Sequence, residues 1–304
     1  KNEAGKQNEV ELVAEKQLTF PLDEQTYYLS KSMFQFEENG KEYLHFENTQ
    51  KSLYDIVIFD IENQQIAKRI PLHKTGPNGL PAVYGSRPSP DSKQILISQN
   101  NIGRLSTINN QGEVVHNYPV KTPEGRFTTF FFCSYYNAPA FVKDSCIFLN
   151  QGIFKPNMKR EDWPQTHMFA SQNLKTGKFE WVPIFYPPIF KEEYENIDGG
   201  YGFSYDYNYK ENRLVCGFFG YDSLMVTDDL KHIRWYNAKS RYLKSMKPKL
   251  GNSMEGINAI IKLRETPKYW HIMYDKYRNV YYRFAEMPYK LAPNESPYDE
   301  PKGK

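Results

Sequence analysis

Phe34-Gln-Phe-Glu-Glu-Asn-Gly-Lys-Glu-Tyr-Leu-His-Phe-Glu47 places largely alternating apolar and polar residues on both sides of Asn39-Gly40. Alternation with period two describes a strand with one face buried, and Asn-Gly between two such runs favours the left-handed turn of a tight hairpin. A third apolar run follows at Tyr54–Ile61, then the polar turn Glu62–Gln65 and a fourth run at Ile66–Leu72. Four antiparallel strands in chain order make one up-and-down sheet.

The same grammar recurs. Arg87–Ser98 and Arg104–Asn109 lead to the turn Asn110-Gln-Gly112 and the run Glu113–Tyr118. Ala140–Leu149 and His167–Leu174 lead through Lys175-Thr-Gly177 to Lys178–Val182. Tyr205–Phe218 and Ser223–Thr227 lead through Asp228–Lys231 to His232–Tyr236, and a shorter copy runs from Tyr269 through Asp275–Asn279 to Phe284. The second strands, marked by Tyr43, Ile95, Ile147, Leu214 and Val280, recur about every 50 to 67 residues, the spacing of propeller blades with long connections.

The expected fold is therefore all-β: a β-propeller of four-stranded antiparallel blades, with about five blades visible and six expected. Blades fall at about 26–72, 83–120, 128–186, 199–237 and 257–304, inside one domain spanning 9–304 behind a polar tether, 1–8. Glu9–Phe20 alternates like a strand and is expected to supply the outermost strand of the last blade. The fifth copy shows two strands before the Pro-rich stretch 290–304, so a six-bladed ring calls for roughly 60 to 80 further residues. A five-bladed ring that borrows strands from the N-terminus is the alternative. Short helical turns are expected near 190–196 and 242–247.

Composition agrees with a folded β protein. Of 304 residues, 24 are Tyr and 20 are Phe, types suited to the pleated surface of a strand. The formal charge of +3 comes from interleaved Lys, Arg, Asp and Glu, which leaves no nucleic-acid footprint. The basic group from Lys239 to Lys249 reads as a solvated loop. Cys133, Cys146 and Cys216 form no CxxC or Cys/His cluster and read as buried thiols, with a Cys133–Cys146 pairing left open. The six His residues are scattered without metal-ligand spacing, so neither a metal nor a cofactor is expected. No apolar run reaches the roughly 20 residues of a membrane span.

Ser89-Pro-Asp-Ser-Lys93 resembles the SPDGK hairpin of propellers related to TolB, with Ser92 where Gly is usual. The blade order, the Tyr- and Asn-rich strands and Gly199–Asp206 are similar to a Bacteroidetes lipoprotein family of unknown function with a six-bladed TolB-like propeller. That resemblance implies an exported protein, periplasmic or anchored in the outer membrane, whose only membrane contact is a lipid attached upstream of Lys1. It brings no catalytic residues.

Propellers hold ligands in the funnel where the inner strands meet. The inner segments here are 27–36, 83–87, 128–137, 199–207 and 269–274, and they are crowded with aromatics. Tyr135, Tyr136, Tyr201, Tyr205 and Trp270 have the ring faces and polar tips that suit a sugar or a peptide, although packing between blades uses the same residues. Arg87 and Asp206 are charges on inner strands and are expected either to pair across the channel or to meet a ligand. The leading expectation is a non-enzymatic propeller that binds a glycan, a peptide or an envelope protein, with ligand contacts at Arg87, Tyr135, Tyr201, Tyr205, Asp206 and Trp270. The alternative is a hydrolase or lyase using Asp198 and Asp206, which requires two carboxylates facing each other.

Overall fold

The computed structural model describes residues 17–26, 33–49, 54–89, 91–99, 103–120, 138–150, 164–187, 203–243, 261, 264–291 and 295–296. Four four-stranded antiparallel sheets and one two-stranded sheet are arranged as a propeller ring. The first sheet holds β1 (Phe34–Glu38), β2 (Lys41–Thr49), β3 (Tyr54–Asp60) and β4 (Gln65–Pro71) in chain order. The second holds β5 (Gly85–Pro88), β6 (Ile95–Gln99), β7 (Arg104–Ile108) and β8 (Val114–Pro119). The third holds β9 (Phe141–Lys143), β10 (Cys146–Asn150), β11 (Phe169–Asn173) and β12 (Phe179–Trp181). The fourth holds β13 (Phe203–Asn208), β14 (Arg213–Phe218), β15 (Ser223–Thr227) and β16 (Arg234–Asn237). The last sheet is β17 (Lys268–Asp275) paired with β18 (Val280–Glu286). A sixth sheet is not among the described residues.

Turn chemistry sets the register. Asn39 and Gly40 have φ of 52° and 75°, the left-handed pair expected of Asn-Gly. Ser92 has φ 55°, so it accepts the conformation for which the related hairpins use glycine. The hairpins open on Asp or Asn, whose side-chain oxygen accepts amides two or three residues on. Asp60 takes Asn63, Asn109 takes Gln111, Asn173 takes Lys175 and Thr176, Asn208 takes Lys210 and Glu211, and Asp275 takes Tyr277 and Arg278.

Each junction between successive sheets has its own apolar filling. Ile56, Ile58, Ile95, Ile97 and Ile108 join the first sheet to the second, and Leu96, Leu105, Ile147, Leu149 and Ala170 join the second to the third. Between the third and fourth the filling is aromatic: Phe141, Phe169, Phe203, Tyr205, Tyr207 and Phe218. Val215, Val226 and Ile272 join the fourth to the last. Arg283 reinforces that junction, lying flat over the Tyr269 ring at 3.3 Å and donating to the carbonyls of Phe218, Tyr221, Asp222 and Ala238.

The N-terminal segment departs from expectation. Its described part, Gln17–Phe20, is not a strand, and it lies on the first sheet rather than the last. Phe20 tilts against Phe59 at 5.2 Å, and Asp23 meets Arg69 at 2.5 Å. The apolar face of β3 therefore draws this segment inward, whereas Glu9–Lys16 lies outside the described residues. The first and last sheets instead touch through side chains, with Lys276 2.6 Å from Glu42 and Tyr277 donating its hydroxyl to the same carboxylate. The helical turn expected at 190–196 lies outside the described residues, and of the one near 242 only a simple turn at Arg241–Tyr242 is described. Ile261 and Arg264–Glu265 are helical, which the sequence pattern did not signal.

Cys146 and Cys216 are free thiols, while Cys133 lies outside the described residues. No helix among the described residues is long and apolar enough to cross a membrane.

Two glycines separate backbone strain from packing. Gly40 and Gly112 both have positive φ, 75° and 83°, but a Cβ on Gly40 meets nothing within 4 Å while one on Gly112 would lie 2.0 Å from the Pro71 carbonyl oxygen. Gly40→Ala should cost about 1–2 kcal/mol from left-handed strain alone. Gly112→Ala should cost about 1–3 kcal/mol beyond that, since the first and second sheets must move apart. Urea unfolding of both variants checks this, and equal costs would show that the Gly112–Pro71 approach does not matter.

Candidate functional site

The first strands of the sheets converge, and each has one edge without a strand partner. An unpaired buried N–H costs about 1–3 kcal/mol, so these edges need acceptors. Side chains of neighbouring sheets provide them. Ser204 and Asp206, two apart on β13, accept the amides of Ile272 and Tyr274, two apart on β17, each at 2.8 Å. The Tyr209 hydroxyl accepts from Val142 of β9 at 3.2 Å. Glu47 of β2 accepts the Ser86 amide of β5.

Asp206 is thus a clasp between sheets. Its second carboxylate oxygen accepts the Tyr207 amide at 2.8 Å, and burial pushes its pKa up to about 6 despite those bonds and the nearby Arg87 charge. No ion pair joins Arg87 to Asp206 among the described residues; the carboxylate prefers two fixed amides. Arg87 instead covers the Phe34 ring at 4.3 Å and reaches the Tyr209 hydroxyl at 3.4 Å. It is 4% exposed, and its Nε has no partner among the described residues.

A second buried polar group sits beside it. The Ser86 hydroxyl donates to Glu47 Oε1 at 2.6 Å and lies 2.7 Å from His45 Nε2. With the hydroxyl proton directed to the carboxylate, the imidazole is the donor. A nucleophilic serine needs the opposite polarity, with its proton directed to the imidazole, and needs access to substrate. Ser86 is completely buried. The trio joins the first sheet to the second. Burial raises the Glu47 pKa to about 7 and lowers that of His45 to about 3, the latter also through Arg87.

The remaining expected contacts separate. Tyr205 is fully buried, donates to the Ala138 carbonyl at 3.0 Å and packs edge-on against Phe169 at 4.9 Å. It is a packing residue with no surface for a ligand, because the odd-numbered side chains of β13 face the third sheet. Trp270 is stacked on Phe219 at 5.1 Å with the Lys268 ammonium over its ring. Tyr135, Tyr136, Tyr201 and Asp198 lie outside the described residues. Among the described residues no group of three or more His, Cys, Asp or Glu side chains could hold a metal.

Tyr209 was missed by the sequence reading. It continues the odd-numbered register of Tyr205 and Tyr207 one step past the strand, into the turn, where its ring is 49% exposed. Arg87 from the second sheet and Val142 from the third both hold its hydroxyl. An aromatic at an otherwise polar turn, Tyr209-Lys-Glu-Asn212, was the available signal.

A family model for a domain of unknown function, DUF4221, matches residues 9–303. The chain belongs to the DUF4221 family. A crystal structure of a DUF4221 member from Bacteroides vulgatus is 85% identical, with a TM-score of 0.90 over 98% of this chain and 82% of that one. A protein from Bacteroides fragilis that carries the name "putative exported protein" shares 10% identity at a TM-score of 0.49, covering 88% of this chain and 74% of that one. A protein of unknown function from Bacteroides caccae shares 9% identity at a TM-score of 0.37 over 65% of this chain and 62% of that one. None of the functionally curated proteins matches this DUF4221 chain.

The buried acids give this DUF4221 protein a pH signature. Glu47 titrates near 4.5 when unfolded and near 7 when folded, so its contribution is fully present below about pH 4.5 and is lost as pH rises through 7. His45 works in the opposite direction, because its depressed pKa removes stability as pH falls below about 6.5. Comparing wild type with Glu47→Gln isolates the acid. The stability advantage of wild type should shrink by up to about 3 kcal/mol between pH 4.5 and pH 7.5 in urea titrations. A difference independent of pH would show that Glu47 is not protonated on burial.

Proposed function

We propose that this protein is a non-enzymatic binding propeller exported to the bacterial cell envelope, and that it engages a glycan, peptide or protein partner at the ring axis around Tyr209 and Arg87. The observation that carries this reading is the incomplete shell of Arg87. Arg283, a half-buried guanidinium at the junction of the fourth and last sheets, donates to four carbonyls. Among the described residues Arg87 has the Phe34 ring, one long contact to a phenol and no carboxylate in ion-pair contact. A desolvated guanidinium with spare donors gains most from an added acceptor, and the half-exposed Tyr209 ring above it offers an aromatic face to the same ligand. Hydroxyl and carbonyl acceptors beside a flat or apolar surface describe sugars and extended peptides.

The envelope location rests on the sequence resemblance to exported lipoproteins. The hydrolase or lyase reading draws on the raised pKa of Asp206. Against it, both oxygens of Asp206 already serve main-chain amides, that of Tyr207 on its own strand and that of Tyr274 across a sheet junction, an arrangement suited to holding blades rather than to moving protons.

Glycan and peptide arrays probed with the intact chain test the reading. Tyr209→Ala should weaken any hit at least about tenfold when measured below its own melting temperature, which falls because the Val142 amide loses its acceptor, and Arg87→Lys should weaken the hit by removing the planar fork. A hit that both variants retain at full strength would remove the axial site.

A further inference from the structure

A second concavity lies off the axis, between the first and second sheets. It encloses about 190 Å³, below the roughly 300–1,000 Å³ of pockets for drug-sized molecules, which limits an occupant to something near a single amino acid or sugar ring. One wall is the cross-strand pair Phe36 and Tyr43, stacked at 5.5 Å and 27°, and Ile95 supplies aliphatic floor. Two charges of opposite sign line the same space: Glu38 at the end of β1 and Lys68 on β4, with Asn110 from the turn of the second sheet completing the rim.

These two charges do not meet. Glu38 and Lys68 sit on the first and fourth strands of one sheet and feel each other electrostatically, yet form no ion pair, and neither head has a hydrogen bond to the described residues. Burial lowers the pKa of Lys68, which Glu38 partly offsets, so the ammonium is already partly stripped of water. A neutral sugar would leave both charges uncompensated. A simple anion would answer Lys68 and be repelled by Glu38. A small molecule that carries a carboxylate and an ammonium on one carbon answers both, and an apolar side chain on that carbon finds the Phe36–Tyr43 wall.

We propose that this groove is a binding site for a free α-amino acid with an apolar or aromatic side chain. Its carboxylate is held by Lys68, its ammonium by Glu38, and its side chain by Phe36 and Tyr43. The site is separate from the axial one and stands without it.

Calorimetry on the full chain with three probes tests the assignment: L-phenylalanine, 3-phenylpropanoate, which lacks the ammonium, and 2-phenylethylamine, which lacks the carboxylate. L-phenylalanine should bind, with each singly charged analogue at least about tenfold weaker. Lys68→Met should abolish the preference for L-phenylalanine over the amine, and Glu38→Gln should abolish its preference over the propanoate. Both substitutions replace partly solvated side chains, and retained melting temperatures exclude unfolding. Tyr209→Ala should leave L-phenylalanine binding unchanged, which separates this site from the axial reading. No binding of L-phenylalanine at millimolar concentration, equal binding of the three probes, or preferences that survive both substitutions would each overturn the proposal, as would binding of glucose in its place.

Discussion

A sheet that radiates from an axis leaves its innermost strand with one row of amides that no strand can reach, and this protein is organised around giving those amides acceptors. The answer on β17 is periodic. Donors at Ile272 and Tyr274 and acceptors at Ser204 and Asp206 both advance by two residues, so the pleats of two neighbouring sheets mesh through side chains where a backbone ladder would otherwise stand. Val142 with Tyr209 and Ser86 with Glu47 solve the same problem singly. Because each acceptor belongs to a different sheet from its donor, satisfying the amide also fixes the angle between blades. Packing of Ile, Leu and aromatic side chains supplies the attraction at each junction, and these polar contacts make it specific.

That solution has a chemical cost. Carboxylates aimed at buried amides lose water, and desolvation outweighs the amide bonds enough to raise both Asp206 and Glu47 well above ordinary carboxylate values. A buried acid of raised pKa near an axis resembles a catalytic acid when viewed alone. Its neighbours decide otherwise here: the bonds point into the protein, and Ser86 points its proton at an acid instead of a base. Perturbed titration in a propeller of this family therefore reports how the ring is assembled before it reports chemistry.

Strands and turns were legible because they depend on local rules. Asn39-Gly40, Asn109, Asn173 and Asp275 each specify a turn from their own side chains and φ preferences, and period-two alternation does the rest. Side-chain destinations across the ring were not legible. Tyr205 and Tyr209 look alike in sequence, yet one is sealed between sheets and the other stands half in solvent, because the strand ends at Asn208. Arg87 and Asp206 were rightly placed on inner strands, but sequence cannot show that the carboxylate would take amides and leave the guanidinium to Phe34 and a phenol. For Gln17–Phe20, the described part of the expected outer strand, alternation gave way to the bare face at Phe59, which Phe20 covers.

The contact between the first and last sheets differs in kind from the other four junctions. Its described bonds join Lys276 and Tyr277 to Gln35, Glu37 and Glu42, near the surface and within reach of ions. Salt screens such pairs over roughly 8 Å at physiological strength while leaving apolar burial intact or strengthened. The belt thus has a buckle that responds to its medium. When ionic strength rises, the four oily seams hold while the described charged contacts of the fifth slacken, so breathing should show first around Lys276 and Tyr277.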